Sequence, residues 1–219
     1  MPLCPVSNFH HILLRSATLQ LCMEIDFPRK RPKVPAFLKC YTTEMGRLYL
    51  EEPTSESKDV VWNFRETFKA PDYITNIPGS AGLEEALVYD DWLENVSVYK
   101  NERLLPPDKV AASTFLVRRL KDKHMVGIVN IRHSLNDYLL QVGGHIGYSI
   151  GPNYRGKGYG TELLQLALEF CRSLHLDSVL VTCDVRNTPS AKVIMANGGV
   201  LENELEQNGV IKQRYWIQL

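Results

Sequence analysis

The sequence has no excess of charge of either sign. Its 25 Lys and Arg residues balance 25 Asp and Glu residues, so the formal net charge is zero. Bulk attraction to nucleic acid or to an anionic membrane surface needs a clear positive excess. No apolar run approaches the roughly 18 residues that a membrane span requires. We therefore predict that neither nucleic acid nor a membrane is a partner of this protein.

The cysteines form no Cys-x-x-Cys pair and are odd in number: Cys4, Cys22, Cys40, Cys171 and Cys183. This pattern excludes a disulfide framework and a zinc signature. We predict no metal site, and a reducing cytoplasm is the simplest compartment. The last two cysteines lie in apolar runs, which predicts that both are small core residues.

The first 44 residues differ from the rest of the chain. The stretch "FPRKRPKVP" combines prolines with a basic cluster, a pattern typical of a linker or extended arm, although such a cluster also fits a nuclear address. The N-terminal apolar stretch is broken by Arg15 and has no basic lead-in, so a secretory signal is not expected. We predict a poorly ordered N-terminal extension over residues 1–44 and one compact domain over residues 45–219.

Hydrophobic spacing predicts an α+β order of elements within residues 45–219. The predicted helices are 57–68 with Ser57 as its cap, 83–99, 160–174, and a short helix within 187–199 with Thr188 as its cap. The predicted strands are 46–52, 113–120, 124–133, 143–150, 177–184, and a terminal hairpin over 200–219 that turns at Asn208–Gly209. An antiparallel half is thus followed by alternating strands and helices.

A glycine-rich turn separates the strand "GGHIGYSI" from the helix "GTELLQLALEFCRSL". Gly156, Gly158 and Gly160 occupy alternate positions, with Arg155 and Lys157 among them. Glycines let the backbone adopt positive φ and approach a ligand closely, and the helix N-terminus adds free N–H donors and the positive end of its dipole. The stretch therefore predicts a pyrophosphate site.

Two common phosphate-binding motifs are absent from this turn. Neither the P-loop form G-x-x-x-x-G-K-[ST] nor the dinucleotide form G-x-G-x-x-G is present, which disfavours a nucleotide-phosphate binder. The turn instead reads R-x-x-G-x-G from Arg155 to Gly160, and the preceding strand ends in Ile150, two residues before Pro152.

The stretch "SIGPNYRGKGYGTELL" resembles the fingerprint of the GCN5-related N-acetyltransferases, the GNAT family. Downstream, Asn187 after the next strand, Ser190 three residues later and Gly198 at the end of the short helix also match the family pattern. The resemblance extends from about residue 114 to 219 and back toward Met45. The lead-in "GHIGYSI" and "NTPSAKVI" are similar to the branch that includes ribosomal-protein N-terminal acetyltransferases.

The resemblance implies a mainly antiparallel central sheet flanked by helices, with a splayed strand pair that holds acyl-CoA. The implied co-substrate is acetyl-CoA, its pyrophosphate lying on the N–H groups of residues 155–161 and its pantetheine arm alongside residues 148–150. In this arrangement the Ile150 N–H would meet the thioester carbonyl and Asn187 would bind the pantetheine arm. The implied cofactor-binding residues are Tyr148, Ile150, Arg155, Gly156, Lys157, Gly158, Tyr159, Gly160, Thr161, Asn187 and Ser190.

The reaction implied by the resemblance moves an acetyl group to an amine by direct attack. Many family members carry a Tyr acid on the last helix, but this sequence has Ile194 at that position, so Ser190, water or unaided thiolate departure remain as alternatives. We predict His145 as the general base, because histidine titrates near neutral pH and this one lies on the strand beside the expected acetyl position. His133 and Asp137 precede it as further candidates.

The acceptor is predicted only as a primary amine of a small molecule or peptide. The family builds its acceptor pocket from the N-terminal helices and their loops, here about residues 57–110. A transferase for a larger acyl group and a non-catalytic acyl-CoA sensor or scaffold are the alternatives, the latter because the Tyr acid is missing. Terminal hairpins pair subunits in many such folds, so a homodimer is a further expectation.

Overall fold

The computed structural model describes residues 46–72 and 76–219. The predicted extension over residues 1–44 lies outside the described residues. In the described part of the chain, the helices are α1 (Lys58–Thr67), α2 (Tyr89–Tyr99), α3 (Tyr159–Ser173) and α4 (Thr188–Ala196). The strands are β1 (Leu48–Glu51), β2 (Ala112–Arg119), β3 (Met125–Arg132), β4 (Ile146–Ile150), β5 (Ser178–Asp184), β6 (Val200–Gln207) and β7 (Val210–Gln218).

The strands form two antiparallel sheets. The first has the order β1-β2-β3-β4, and the second has the order β5-β7-β6. The β6–β7 hairpin turns at Asn208 and Gly209, whose φ angles of 52° and 77° both lie in the left-handed region. Two such residues make the tight turn that matches the twist of a hairpin, as the Asn-Gly pair predicts. The predicted α+β architecture with mainly antiparallel pairing is confirmed.

Alternation along β2 divides the core between the two faces of the first sheet. Phe115 and Val117 belong to a cluster with the apolar residues of α3, whereas Leu116 packs with α1 and α2. Successive side chains of a strand point to opposite faces, so one strand serves both clusters. Cys171 and Cys183 are free and buried in the α3 cluster, which confirms the prediction that they are core residues.

The second helix begins later than the sequence predicts. Residues 83–88 form turns, and α2 starts at Tyr89. Leu83 is fully buried, but Leu87 is 95% exposed. Residues four apart share one face of a helix, so these two side chains could not lie in one amphipathic helix. The predicted start at residue 83 is therefore wrong.

One of the two predicted helix caps is a different residue in the structure. Asn187, not Thr188, is the N-cap of α4, since its side-chain oxygen accepts a hydrogen bond from the Ser190 N–H at 3.3 Å. Ser57 is the N-cap residue of α1, as predicted, but its side chain makes no cap bond to that helix, since its hydroxyl accepts from the Thr54 N–H at 3.2 Å. The cap of α4 therefore lies one residue earlier than predicted, and both helices lie where the sequence predicts them.

The two sheets meet beside the start of β4. The His145 N–H donates to the Leu180 carbonyl at 2.7 Å, and the Leu180 N–H donates to Nδ1 of the His145 ring at 2.9 Å. Past this point, β4 pairs with β3 and β5 pairs with β7. The His145 imidazole and the His145 N–H thus link the two sheets by hydrogen bonds to Leu180.

Candidate functional site

A cavity of about 520 Å³ lies where β4, the glycine-rich turn and the start of α4 come together. All of the predicted cofactor-binding residues except Lys157 and Tyr159 line this cavity. Ser149, within the strand segment 148–150 expected beside the pantetheine arm, also lines it, and the other wall residues were not anticipated from the sequence: Phe68, Pro71, Pro78, Tyr154, Pro189, Lys192 and Val193. Phe68, Pro71 and Pro78 come from the connection between α1 and α2 and reach the site only through the tertiary fold, so no local sequence pattern predicts them.

The glycine-rich turn has the backbone geometry that its sequence requires. Gly156 and Gly158 have φ angles of +72° and +78°, and Gly158 is the left-handed N-cap of α3. A Cβ on Gly160 would lie 3.2 Å from a methyl group of Val193 in α4, so glycine permits α3 and α4 to pack closely here. The first N–H groups of a helix lack intrahelical acceptors, which leaves the start of α3 suited to an anion.

Arg47 and Glu162 brace this turn from the side of β1, a contact between residues 115 positions apart that the sequence does not reveal. The Glu162 carboxylate accepts hydrogen bonds from the backbone N–H groups of Arg47 and Leu48 and pairs with the Arg47 guanidinium at 3.0 Å. The same guanidinium donates to the Lys157 carbonyl at 3.1 Å and lies 4.6 Å from the Tyr159 ring centre. Glu162 therefore anchors the first turn of α3 to β1.

Arg155 ties three parts of the cavity wall together. Its Nε donates to the Ile150 carbonyl at 3.0 Å, and its terminal nitrogen donates to the Lys69 carbonyl at 3.0 Å. Its guanidinium lies 5.2 Å from the centre of the Phe68 ring. The residue keeps a positive charge on the cavity wall while it holds the end of β4 against the segment that follows α1.

Lys157 and Tyr159 are predicted cofactor-binding residues that do not line the cavity. The Lys157 ammonium donates to the Asn153 carbonyl at 2.8 Å, on its own loop. Tyr159 is buried in the core, where its ring packs edge-on against Tyr154. Neither side chain is therefore part of the cavity wall.

The opposite wall of the cavity contains the pair Tyr148 and Ser190. Tyr148 projects from β4, and its phenol oxygen lies 3.0 Å from the Ser190 hydroxyl in the first turn of α4. Burial raises the pKa of Tyr148 above its usual range, so the phenol stays protonated. This hydrogen bond links β4 to α4 across the site.

His145, the predicted base, lies at the junction of the two sheets. Burial and the nearby Arg132 guanidinium lower the pKa of His145 to about 4, so the ring is neutral. Its Nδ1 lone pair accepts the Leu180 N–H, which places the remaining proton on Nε2. A general base needs a free lone pair at the reacting amine, so this geometry favours a structural role for His145 over the predicted catalytic one.

We expect the neutral His145 to make stability depend on pH. Because the ordinary pKa is 6.5 and the folded value is about 4, the unfolded chain binds the proton first as pH falls. The free energy of unfolding should then drop by about 3 kcal/mol between pH 6.5 and pH 4. Replacing His145 with Asn keeps an acceptor near the Leu180 N–H and should flatten that slope in urea denaturation measured across the range. An unchanged slope would contradict the assignment.

His133 and Asp137 lie away from the cavity wall. The His133 Nε2 lies 2.9 Å from the Ser113 hydroxyl, and its ring packs 6.3 Å from the Phe170 ring. Burial lowers the pKa of His133. Asp137 is exposed just before the π-helical turn Leu139–Gly143. The structure thus does not bring either candidate beside the residues that line the cavity.

Ile194 is fully buried in the α3 cluster. It packs under α4, where a Cβ on Gly199 would lie 2.4 Å from its side chain. The position that carries a Tyr acid in many family members is therefore part of the core in this chain.

A family model described as an acetyltransferase (GNAT) domain matches residues 47–200. The chain belongs to the GNAT family. A curated relative, an uncharacterized N-acetyltransferase YnaD of Bacillus subtilis, is 37% identical over 54 residues. That match covers 24% of this chain and 32% of the relative, so it spans about a third of the relative's length.

Solved structures share the GNAT fold at low sequence identity. A putative ribosomal-protein-serine acetyltransferase from Vibrio cholerae is 20% identical, with a TM-score of 0.57 over 82% of this chain and 97% of that one. RimL, a ribosomal alpha-N-protein acetyltransferase in complex with coenzyme A, is 15% identical, with a TM-score of 0.58 over 83% of this chain and 98% of that one. At these identities the likeness establishes the fold.

Within residues 46–72 and 76–219, no group of three or more His, Cys, Asp or Glu side chains is placed to hold a metal ion. The same residues include no helix long and apolar enough to cross a membrane.

Two further cavities lie on the α1–α2 side, one of about 520 Å³ between α1 and residues 84–87, and one of about 330 Å³ between α2 and the strands β2 and β3.

Proposed function

We propose that this protein transfers an acetyl group from acetyl-CoA to the primary amine of a small molecule or a peptide. The observation that carries the proposal is the shared cavity, which brings the glycine-rich turn, β4 and the N-terminus of α4 to one surface. The GNAT resemblance assigns the turn to the pyrophosphate, and it assigns β4 and Asn187 at the start of α4 to the pantetheine arm. Family membership supports acetyl transfer in general, and the amine class is the finer part of the proposal.

The residues of the cavity suit a long anionic thioester. The turn from Arg155 to Thr161 supplies backbone N–H donors, and Arg155 and Lys192 supply positive charge. Residues 148–150 offer the edge along which an extended arm can lie, and the Ile150 N–H would stabilise the negative charge that develops on the thioester oxygen. Asn187 caps α4 and faces the same cavity, within reach of the arm's amide groups.

The acceptor must lose a proton before or during attack. An alkylamine has a pKa near 10, so most of it is charged at neutral pH, and only the neutral form is nucleophilic. Since His145 already uses its free lone pair, we propose that water or the departing thiolate takes this proton. The rate should then rise with pH through the neutral range, following the fraction of neutral amine.

Calorimetry and a thiol-release assay test the function together. We expect CoA and acetyl-CoA to bind the full chain, and free thiol to appear when acetyl-CoA is mixed with a panel that includes spermidine and a peptide with a free N-terminal serine. Binding without thiol release from any amine would favour the alternative, an acyl-CoA sensor. Failure to bind CoA would overturn the proposal.

A further inference from the structure

The pair formed by Tyr148 and Ser190 is the polar contact that bridges β4 and α4 within the cavity wall. Ser149, the next residue along β4, turns to the other face and donates to the Pro78 carbonyl at 2.6 Å. Strand alternation therefore points Tyr148 toward α4. Its phenol oxygen reaches the Ser190 hydroxyl at 3.0 Å, and both side chains line the cavity.

Ser190 is held in one place by the start of α4. Asn187 accepts the Ser190 N–H at 3.3 Å, and Pro189 fixes the backbone of the first turn. A hydroxyl group rotates freely about its C–O bond, so its single proton points wherever the best acceptor lies. The direction of the hydrogen bond between Tyr148 and Ser190, in which either oxygen can be the donor, therefore decides where that proton points.

Burial keeps the Tyr148 phenol protonated, since it raises the pKa of that group. A protonated phenol that donates to the Ser190 oxygen leaves the serine proton available to a third group. Chains of this kind strengthen each bond along them, because each donor is polarised by the one behind it. In acetyl transfer from CoA, the leaving sulfur would be such a third group.

We propose that Tyr148 is a positioning residue that directs the Ser190 hydroxyl at the leaving sulfur. The proposal rests on the proposed acetyl transfer. As the amine nitrogen bonds to the acetyl carbon, the carbon–sulfur bond breaks and its electron pair stays on sulfur. The Ser190 O–H hydrogen-bonds to that thiolate, and the proton lost by the amine nitrogen completes the thiol. This arrangement would take the place of the helix Tyr, where the chain has Ile194.

Three other charged or titratable groups lie near the pair, and Cys183 is within hydrogen-bond reach of the Ser190 hydroxyl. Cys183 on β5 also lies beside Ser190, and burial raises the pKa of its thiol to about 11, so it stays neutral. Arg155 and Lys192 carry positive charge on the same cavity wall, and both remain in every variant considered. Their effect is therefore common to all the variants.

The pKa of the CoA thiol, measured on the bound protein, tests this proposal without any acceptor. Thiolate absorbance of CoA with the full chain is followed against pH, and a CoA-free titration of each variant is subtracted. A hydrogen bond to the thiolate lowers its pKa, so Tyr148→Phe should raise the pKa of the bound thiol by about one unit. Ser190→Ala should raise it at least as much, and adding Tyr148→Phe to Ser190→Ala should change nothing further.

Tyr89→Phe is the matched control, because it removes another buried phenol hydrogen bond, to the Thr54 carbonyl at 2.6 Å, far along the chain from Ser190. It should leave the pKa of the bound thiol at the wild-type value, and every variant is titrated at saturating CoA, so that a change in affinity in Tyr148→Phe does not enter the comparison. An equal pKa in wild type and Tyr148→Phe, with CoA bound, would overturn the inference and leave the proposed function standing. So would a Tyr148→Phe effect that persists in Ser190→Ala. Failure of the wild-type chain to bind CoA would overturn both.

Discussion

Replacing Gly158 with Trp is expected to weaken CoA binding at least a hundredfold. Gly158 has a φ of +78°, a conformation that costs an L-residue about 1–2 kcal/mol. A Cβ there would lie 3.3 Å from the Arg47 guanidinium, so an indole would displace the brace that holds the turn against β1. Both effects move the N–H donors of the turn, and a hundredfold loss corresponds to about 2.8 kcal/mol.

Gly209 offers a matched control for this substitution. It has a φ of +77°, and no atom lies within 4 Å of the Cβ that a substitution would add. Gly209→Trp therefore carries the same backbone cost in the β6–β7 hairpin and should leave CoA affinity unchanged in calorimetry. Gly158→Ala should give an intermediate loss, since it keeps the backbone cost without the bulk. Full affinity in Gly158→Trp would mean that the turn does not hold the pyrophosphate.

Local patterns in the sequence were sufficient to predict most elements of the fold. The 3.6-residue apolar spacing of α3 and the Asn208–Gly209 turn are short-range signals, and each appears in the structure where it is predicted. The late start of α2 was missed because its cause is tertiary. Leu83 packs in the core with α1 and α2, and its N–H donates to the Ser80 hydroxyl in a turn, so residue 83 does not belong to the helix.

The candidate site was predictable to the extent that it is made of one contiguous motif. The turn from Arg155 to Thr161 carries its glycines and charges in sequence, so its role as a phosphate-binding turn could be inferred. The pairing of Glu162 with Arg47 and of Tyr148 with Ser190 could not, because each joins residues brought together only by the packing of α3 and α4 on the sheets. For the same reason, the hydrogen bond that occupies His145 was not visible in the sequence.

The largest effect on stability is expected from Gly79→Ala. A Cβ at this position would lie 2.1 Å from the Gly147 carbonyl oxygen and 2.8 Å from the Tyr148 Cα, both backbone atoms of β4. The backbone of a paired strand cannot yield as a side chain can, so the connection between α1 and α2 would have to lift away from β4. With a φ of +80° in addition, we expect the free energy of unfolding to fall by more than about 3 kcal/mol.

Gly82 is a control position that separates the steric clash of an added Cβ from the cost of a positive φ. It shares the φ of +80°, but no atom lies within 4 Å of its added Cβ, so Gly82→Ala should cost only about 1–2 kcal/mol. Urea denaturation followed by tryptophan fluorescence suits both variants, since the Trp92 indole donates to the Ser80 carbonyl of this connection at 2.9 Å. Because Pro78 lines the cavity, Gly79→Ala should also weaken CoA binding, whereas Gly82→Ala should not. Equal losses of stability in the two variants would mean that the connection does not dock on β4 as the structure describes.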